Sequence, residues 1–152
     1  MKENYLETIR LIERLHRQFL EVVKGELDRI GVRDINNIQA LILYNIGKDE
    51  LTVGELTHRG YYLGSNVSYN VRKMVENGYL IQERSAHDRR SVRVRLSEKG
   101  LEVHDKVNEV IETQANRLNE TGITESHLDG TAQVLMRLER FLLHNFGYGS
   151  VR

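Results

Sequence analysis

The centre of this 152-residue chain is rich in side chains that bind anions. Nine Lys and Arg residues lie between Arg59 and Lys99 against four Asp and Glu, which gives this stretch a net charge of +5. Because the whole chain is neutral, the two flanking parts together carry −5. Charge separated in this way favours a polyanion as the partner of the central stretch, although a solvated basic surface is the plainer interpretation of charge alone.

A helix predicted over residues 65–77 carries polar side chains along one face. At roughly 100° per residue, Val67, Val71, Met74 and Val75 form an apolar stripe. The remaining surface carries groups suited to phosphates and base edges: Ser65, Asn66, Ser68, Tyr69, Arg72 and Lys73. An α-helix fits the major groove of B-DNA, and a short helix, a turn and a second helix with a polar face are typical of a helix-turn-helix. The alternative is an ordinary surface helix with incidental charges.

The segment that follows predicts a β-hairpin with a cationic tip. Residues 79–84 form a short strand, and residues 91–96 alternate strictly, with Arg93 and Arg95 on the side opposite the apolar residues. The link between the strands contains Asp88, Arg89 and Arg90. An arginine on a protruding loop can enter a narrow minor groove, and a neighbouring carboxylate can brace it. A hairpin made polar for solubility is the alternative, but two cationic elements adjacent in sequence favour DNA binding.

Helices are predicted on both sides of these two elements. The first thirty residues form one long amphipathic helix that Gly31 ends, and a second helix covers about residues 36–46. A third, short helix begins at a capping box formed by Thr52 and Glu55. After the hairpin, one helix runs from Ser97 to about residue 120 and a last one begins after Thr124. The predicted fold is mainly α with a small β-hairpin.

Two segments resemble the MarR family of winged helix-turn-helix transcription regulators. Residues 88–100, which read Asp-Arg-Arg-Ser-Val-Arg-Val-Arg-Leu-Ser-Glu-Lys-Gly, resemble the wing signature: Asp-x-Arg, a short strand, then Leu-Thr/Ser-x-x-Gly opening the next helix. Residues 67–84 resemble the recognition helix of the family, its Gly-hydrophobic-hydrophobic step and its strand arginine. The resemblance covers about residues 35–100, and the flanking helices have the order and length found in the family.

The resemblance implies a role for individual residues. Arg90 matches the wing arginine of the minor groove, Asp88 the acid that braces the wing, and Arg84 the strand arginine near the DNA backbone or that acid. The exposed positions of residues 65–73 would enter the major groove. The turn at residues 60–64 is more aromatic and glycine-rich than the family pattern. Its tyrosines either touch a phosphate or pack the turn against the core.

The resemblance also implies an assembly and a mode of regulation. A single MarR-type domain, residues 1–152, would contain a winged helix-turn-helix DNA-binding lobe at 35–100 and dimerisation helices at 1–31 and 101–146. Such a homodimer would bind a pseudo-palindromic operator in double-stranded DNA. Repression by occlusion of polymerase is the hypothesis, and activation stays open.

Many members of the family release DNA when a small aromatic effector binds between the dimer helices and the DNA-binding lobe. Phe19 and Tyr44 could line such a cleft here, but aromatic residues on apolar faces are core residues far more often. The effector-binding residues therefore stay undetermined.

The composition excludes several other functions. With no Cys the chain has no disulfide, thiolate metal site or thiol redox sensor, and its six His lack metal-pair spacing. It has no glycine-rich phosphate loop and no nucleophile elbow, so neither an enzyme nor a cofactor is expected. The short apolar runs and the absence of a signal-peptide core predict a cytoplasmic protein that does not enter a membrane. A winged helix module that binds protein is the remaining alternative, and Arg72, Lys73 and Arg90 argue against it.

Overall fold

The computed structural model of the chain describes residues 1–60, 64–84, 86–87 and 91–147. The helices are α1 (Lys2–Arg29), α2 (Asn37–Ile46), α3 (Val53–Gly60), α4 (Gly64–Glu76), α5 (Glu98–Arg117) and α6 (Glu125–Phe146). The strands are β1 (Leu51–Thr52), β2 (Leu80–Arg84) and β3 (Val92–Leu96). The mainly helical fold with a small hairpin is as predicted. None of the described helices is long and apolar enough to cross a bilayer.

The chain divides into two compact units, Met1–Ile111 and Glu112–Arg152. The core of the first unit is centred on α2, whose Ala40, Ile42, Leu43 and Ile46 are completely buried. Each large apolar side chain buried in this way contributes roughly 1.5–3 kcal/mol to folding. A helix that is apolar nearly all round can exist only inside a protein, so α2 is the element around which the others assemble.

Caps define the ends of the helices. Asn36 and Gln39 form a reciprocal capping box at the start of α2, with Asn36 Oδ1 accepting from the Gln39 N–H at 2.8 Å. At the start of α3, Thr52 Oγ1 accepts from the Glu55 N–H at 3.1 Å, but Glu55 does not return the bond. The prediction of a full capping box there was wrong. Thr52 lies in β1, where its backbone pairs with Arg93 of β3, so it is not free to serve as a complete helix cap.

The strands form one antiparallel sheet in the order β1-β3-β2. Leu80 pairs with Leu96 and Leu51 pairs with Val94, which places four buried side chains on the face of the sheet that covers the core. Strand β1 was not predicted, because two residues are too few for an alternating pattern. The sheet holds the hairpin against the core at its base and leaves its far end exposed.

The second unit is made of helix and one tight turn. α5 ends at Arg117 and is followed by a 3₁₀ turn, Leu118–Thr121, so the helix is shorter than the predicted end near residue 120. Gly122 then adopts a φ of 81°, a conformation that glycine takes without strain. Thr124 caps α6 as predicted, with its Oγ1 accepting from the His127 N–H at 3.2 Å.

The start of α5 is joined tightly to the end of α4. Ser97 Oγ accepts from the Gly100 N–H at 3.1 Å and donates to the Gly78 carbonyl at 2.6 Å. A Cβ added at Gly100 would lie 2.3 Å from the carbonyl oxygen of Tyr79. Packing therefore explains the Leu-Ser-x-x-Gly segment. Ser97 caps the start of α5, and Gly100 lets the backbone of α5 approach that of Tyr79.

A polar cluster ties together three parts of the first unit. Asp34 Oδ1 accepts from the Tyr79 hydroxyl at 2.5 Å, and Asp34 Oδ2 lies 3.4 Å from Lys99 Nζ. The Asn77 amide donates to the Asp34 carbonyl at 2.8 Å. Partial burial raises the pKa of Asp34, but the hydrogen bond from Tyr79 and the charge of Lys99 outweigh it, so the net pKa is below the usual range. The cluster anchors the α1–α2 link to the base of the hairpin, where Tyr79 precedes β2 and Lys99 follows β3.

Replacing Gly100 by alanine is expected to lower the free energy of unfolding by about 2 kcal/mol, because the new methyl group meets backbone rather than a flexible side chain. Gly130→Ala in α6 is the matched control, since nothing lies within 4 Å of the added Cβ. That control should raise stability by up to about 1 kcal/mol through helix propensity. Chemical denaturation measures both, and equal midpoints for the two variants would contradict the packing explanation.

Asp34→Asn is expected to destabilise the fold at neutral pH but not in acid. Because the pKa of Asp34 is lower folded than unfolded, its carboxylate contributes stability above its unfolded pKa, about 3.9, and loses it as the pH falls through the folded pKa. Denaturation curves of wild type and variant should differ at pH 7 and converge in stronger acid. A difference that stays constant with pH would show that the charge of Asp34 does not matter.

Candidate nucleic-acid interface

The direction in which α4 faces follows from its apolar stripe. Val67, Val71 and Met74 are buried against the core, so the opposite side of the helix is turned to solvent. That side carries the exposed residues Asn66, Ser68, Tyr69, Arg72 and Lys73. Tyr69 keeps 55% of its surface exposed, although it is aromatic. Ser65 is the second residue of α4, and its side chain lies outside the described part of the chain.

The two cations of α4 differ in their surroundings. The guanidinium of Arg72 forms no hydrogen bond or ion pair with any residue that the structure describes. Lys73 Nζ lies 3.6 Å from a carboxylate oxygen of Glu76 and 5.9 Å from the centroid of the Tyr69 ring. An exposed pair of this kind is worth only about 0–1 kcal/mol, so Lys73 can exchange it for another anion. Arg72 is available without breaking a hydrogen bond or an ion pair to a described residue.

Sequence reasoning missed one residue of this helix. Asn70 lies at the edge of the apolar stripe, half-buried, and its Oδ1 accepts from Gln39 Nε2 at 3.1 Å. The helical wheel gave no reason to select it, because its position is neither fully outward nor fully inward. The signal that could have found it is chemical: a carboxamide bordering an apolar stripe needs a partner for its polar atoms.

The hairpin adds a second cationic surface. Arg93 and Arg95 are exposed and share the face opposite the core, as the alternation predicts. Arg95 Nη2 lies 3.1 Å from Glu83 Oε1 on the neighbouring strand, whereas the Arg93 guanidinium has no partner among the described residues. Arg84 is exposed at the end of β2, where it pairs with Val92 in the sheet.

Several residues predicted at the tip of the wing and in the turn lie outside the described residues. These are Asp88, Arg89 and Arg90 of the wing, with Tyr61 and Tyr62 of the turn. Their assignment to DNA contact stays a prediction.

Other cations of the basic stretch serve the fold. Arg59 Nη1 lies 2.8 Å from Asp49 Oδ2, and Lys99 belongs to the cluster around Asp34 while lying 4.3 Å from the centroid of the Tyr79 ring. Net charge alone could not separate these residues from Arg72 and Arg93. Within the described part of this stretch, the cations without an acidic partner are therefore concentrated on α4 and β3.

The aromatic residues suggested for an effector cleft have roles inside the first unit. Tyr44 stacks on His104, with ring centroids 5.1 Å apart, and donates its hydroxyl hydrogen bond to Asn108 Oδ1 at 2.9 Å. Phe19 is half-buried against the core. An open cavity of about 450 Å³ lies where α1 ends and the link to α2 begins, and neither aromatic residue lines it.

The described residues contain no group of three His, Asp or Glu side chains that could hold a metal ion. The chemistry that the exposed groups of α4 and β3 offer is instead recognition: hydrogen-bond donors and acceptors for base edges, and guanidinium and ammonium groups for phosphates.

Comparison with known proteins agrees with this arrangement. Residues 35–100 match the family model of a winged helix DNA-binding domain. Over 135 residues the chain is 38% identical to the exopolysaccharide II synthesis transcriptional activator ExpG of Rhizobium meliloti (strain 1021), covering 89% of this chain and 70% of ExpG.

Two solved structures share the fold. FabT of Streptococcus pneumoniae, in complex with DNA, matches with a TM-score of 0.72 at 20% identity, covering 91% of this chain and 96% of that one. Staphylococcus aureus MarR, in complex with salicylate and kanamycin, matches with a TM-score of 0.72 at 23% identity, covering 94% and 95%. This chain belongs to the MarR family of winged helix transcription regulators, which are DNA-binding proteins and not enzymes.

Proposed function

We propose that a homodimer of this chain binds a pseudo-palindromic operator in double-stranded DNA, with α4 of each subunit in a major groove. The observation that carries the proposal is the exposed polar face of α4, held outward by the burial of Val67, Val71 and Met74. Two such helices meet successive major grooves on one side of B-DNA when they lie about 34–36 Å apart. This geometry requires two copies of the chain.

The hairpin supports a second contact in the minor groove. Arg93 and Arg95 line one exposed face of β3. A narrow minor groove has a strongly negative potential that attracts arginine. We assign the tip arginines, Arg89 and Arg90, to that groove, and Arg84 and Asp88 to positioning them.

The apolar surfaces at the two ends of the chain support the dimer. Large apolar side chains are exposed in the first half of α1, including Leu15 at 61%, and along α6, including Leu143 at 59% and Phe146 at 71%. No residue of α6 is buried. Exposed apolar surface on this scale marks an association site, and a second copy of the chain would cover it. Residues 1–31 and 101–146 are therefore the proposed dimerisation helices, and 35–100 the DNA-binding lobe.

Repression by occlusion of polymerase is the first candidate for the outcome of binding. Activation is the second, because ExpG is described as a transcriptional activator. Both follow from one binding geometry, and the position of the operator relative to the promoter decides between them. Mapping the operators across the genome and measuring transcription of the adjacent genes in a deletion strain distinguishes the two.

We further propose control by a small aromatic effector in the cytoplasm, where the DNA is. Staphylococcus aureus MarR was solved with salicylate, a molecule of this class. An effector can act here only by binding one dimer shape more tightly than another, which changes the separation of the two α4 helices. The binding residues are undetermined.

Arg72→Ala is expected to reduce the preference for the operator over other DNA by about tenfold, because an unpartnered guanidinium on the polar face of α4 can read guanine. Lys73→Ala should weaken operator and competitor DNA nearly equally, because an ammonium binds phosphate as a point charge. Competition gel shifts measure both ratios. Arg33→Ala, at an exposed position outside both the DNA-binding lobe and the dimerisation helices, is the control and should change neither. Wild-type affinity and preference in both α4 variants would refute the assignment of α4 to DNA.

Leu15→Gln and Leu143→Gln should each raise the dimer dissociation constant at least tenfold. Each substitution removes, from both subunits of a symmetric dimer, a leucine that the proposed interface buries, and burial of one such side chain contributes roughly 1.5–3 kcal/mol. Sedimentation velocity over a range of concentrations measures this. Tyr69→Gln is the matched control, since Tyr69 is similarly exposed but lies on α4. A wild-type protein that sediments as a monomer at every concentration would overturn the dimer.

A further inference from the structure

The side chain of Gln39 is buried and both ends of its amide are used. It is only 7% exposed. Its Oε1 accepts from the Asn36 N–H at 2.9 Å, within the capping box of α2. A backbone N–H can only donate, so the oxygen of Gln39 must face Asn36 and its NH₂ group must face the other way.

The orientation of Gln39 determines that of Asn70. Gln39 Nε2 donates to Asn70 Oδ1 at 3.1 Å, which directs the oxygen of Asn70 inward. The Asn70 Nδ2 group has no partner among the described residues. Since no buried side-chain nitrogen or oxygen in the described part of the chain lacks a partner, Asn70 Nδ2 reaches solvent. The group of Asn70 that is left for solvent is therefore the donor Nδ2, while its Oδ1 is bonded to Gln39.

Asn70 lies where this orientation matters for recognition. It follows Asn66 by four residues and precedes Lys73 by three, so it is a neighbour of both on the surface of α4. Asn66 and Lys73 are exposed on the polar face. Asn70 is at the edge of the surface that the proposed function directs into the major groove.

We propose that Asn70 is a specificity-determining residue that Gln39 locks as a hydrogen-bond donor toward the major groove. An unrestrained asparagine reads adenine with its oxygen and nitrogen together. Here the oxygen is occupied by Gln39, so Asn70 selects a base edge that offers only acceptors, such as guanine O6 and N7 or thymine O4. This inference rests on the proposed function, because it requires α4 to lie in the major groove.

Gln39→Glu tests the orientation directly. Glutamate keeps the capping box, because its carboxylate also accepts from the Asn36 N–H. Its second oxygen can only accept, so Asn70 must turn over and present its oxygen to the DNA. Gln39→Met removes the constraint without adding charge, so Asn70 can adopt either orientation.

Two further variants separate orientation from charge and from damage to α2. Asn70→Asp still accepts from Gln39 but replaces the outward donor by an acceptor, with α2 unchanged. Lys73→Gln lowers the net charge of the protein by one, which is the same change that Gln39→Glu makes. It leaves the Gln39–Asn70 hydrogen bond in place, so it is the control for charge. Thermal unfolding of each variant verifies that it folds.

The measurement is selection of binding sites from a randomised duplex, followed by competition between the selected sites. At one position of each half-site, wild type should prefer guanine or thymine, whose edges offer acceptors. Gln39→Glu and Asn70→Asp should shift that preference about tenfold toward cytosine or adenine, whose edges carry a donor. Gln39→Met should accept both kinds of edge, and Lys73→Gln should weaken binding without changing the preference.

The outcomes distinguish the inference from the proposed function. If wild type selects an operator and all the Gln39 and Asn70 variants select the same one, the orientation of Asn70 carries no specificity and the inference is wrong. If wild type selects no site, the proposed function itself fails, and the inference with it.

Discussion

The burial of three side chains on α4 determines which face of that helix is exposed to solvent. Val67, Val71 and Met74 enter a core centred on α2, whose Ala40, Ile42, Leu43 and Ile46 are completely buried. Once they are buried, the opposite face of α4 is turned outward, and Asn66, Ser68, Tyr69, Arg72 and Lys73 on that face are exposed to solvent. The proposed recognition surface is thus a consequence of packing: the helix presents Arg72 and Tyr69 because turning them inward would expose the apolar stripe and bury a charge.

The C-terminal end of α4 is constrained as firmly as its face. The turn that follows it is held by the cluster of Asp34, Asn77, Tyr79 and Lys99, and by the close contact of Gly100 with the Tyr79 backbone. These contacts join α4, the base of the hairpin and the start of α5. The proposed DNA-binding surface consists of two elements and needs a fixed distance between them, and these contacts hold α4 and the base of the hairpin together.

Much of this architecture could be predicted from the sequence because the signals are local. Periodicity and caps identify α2 and α4, and strict alternation identifies β3 with its exposed Arg93 and Arg95. What could not be predicted depends on partners distant in the chain. Strand β1 is defined only by its pairing with β3, Lys99 is assigned to the fold only by Asp34, and Asn70 is singled out only by Gln39. Neither a helical wheel nor a count of charges shows which distant residues contact each other.

The ion pairs Lys73–Glu76 and Arg95–Glu83 affect how DNA binding would depend on ionic strength. Lys73 and Arg95 already have carboxylate partners, Glu76 and Glu83, at 3.6 and 3.1 Å, whereas Arg72 and Arg93 have none among the described residues. Polyelectrolyte theory relates the steepness of the salt response to the number of DNA counterions that a protein's cations displace. An internal carboxylate that keeps its cation partly neutral reduces that number. Glu76 and Glu83 therefore act as internal counterions of Lys73 and Arg95, and the proposed DNA binding should depend less steeply on salt than the number of exposed cations alone would give.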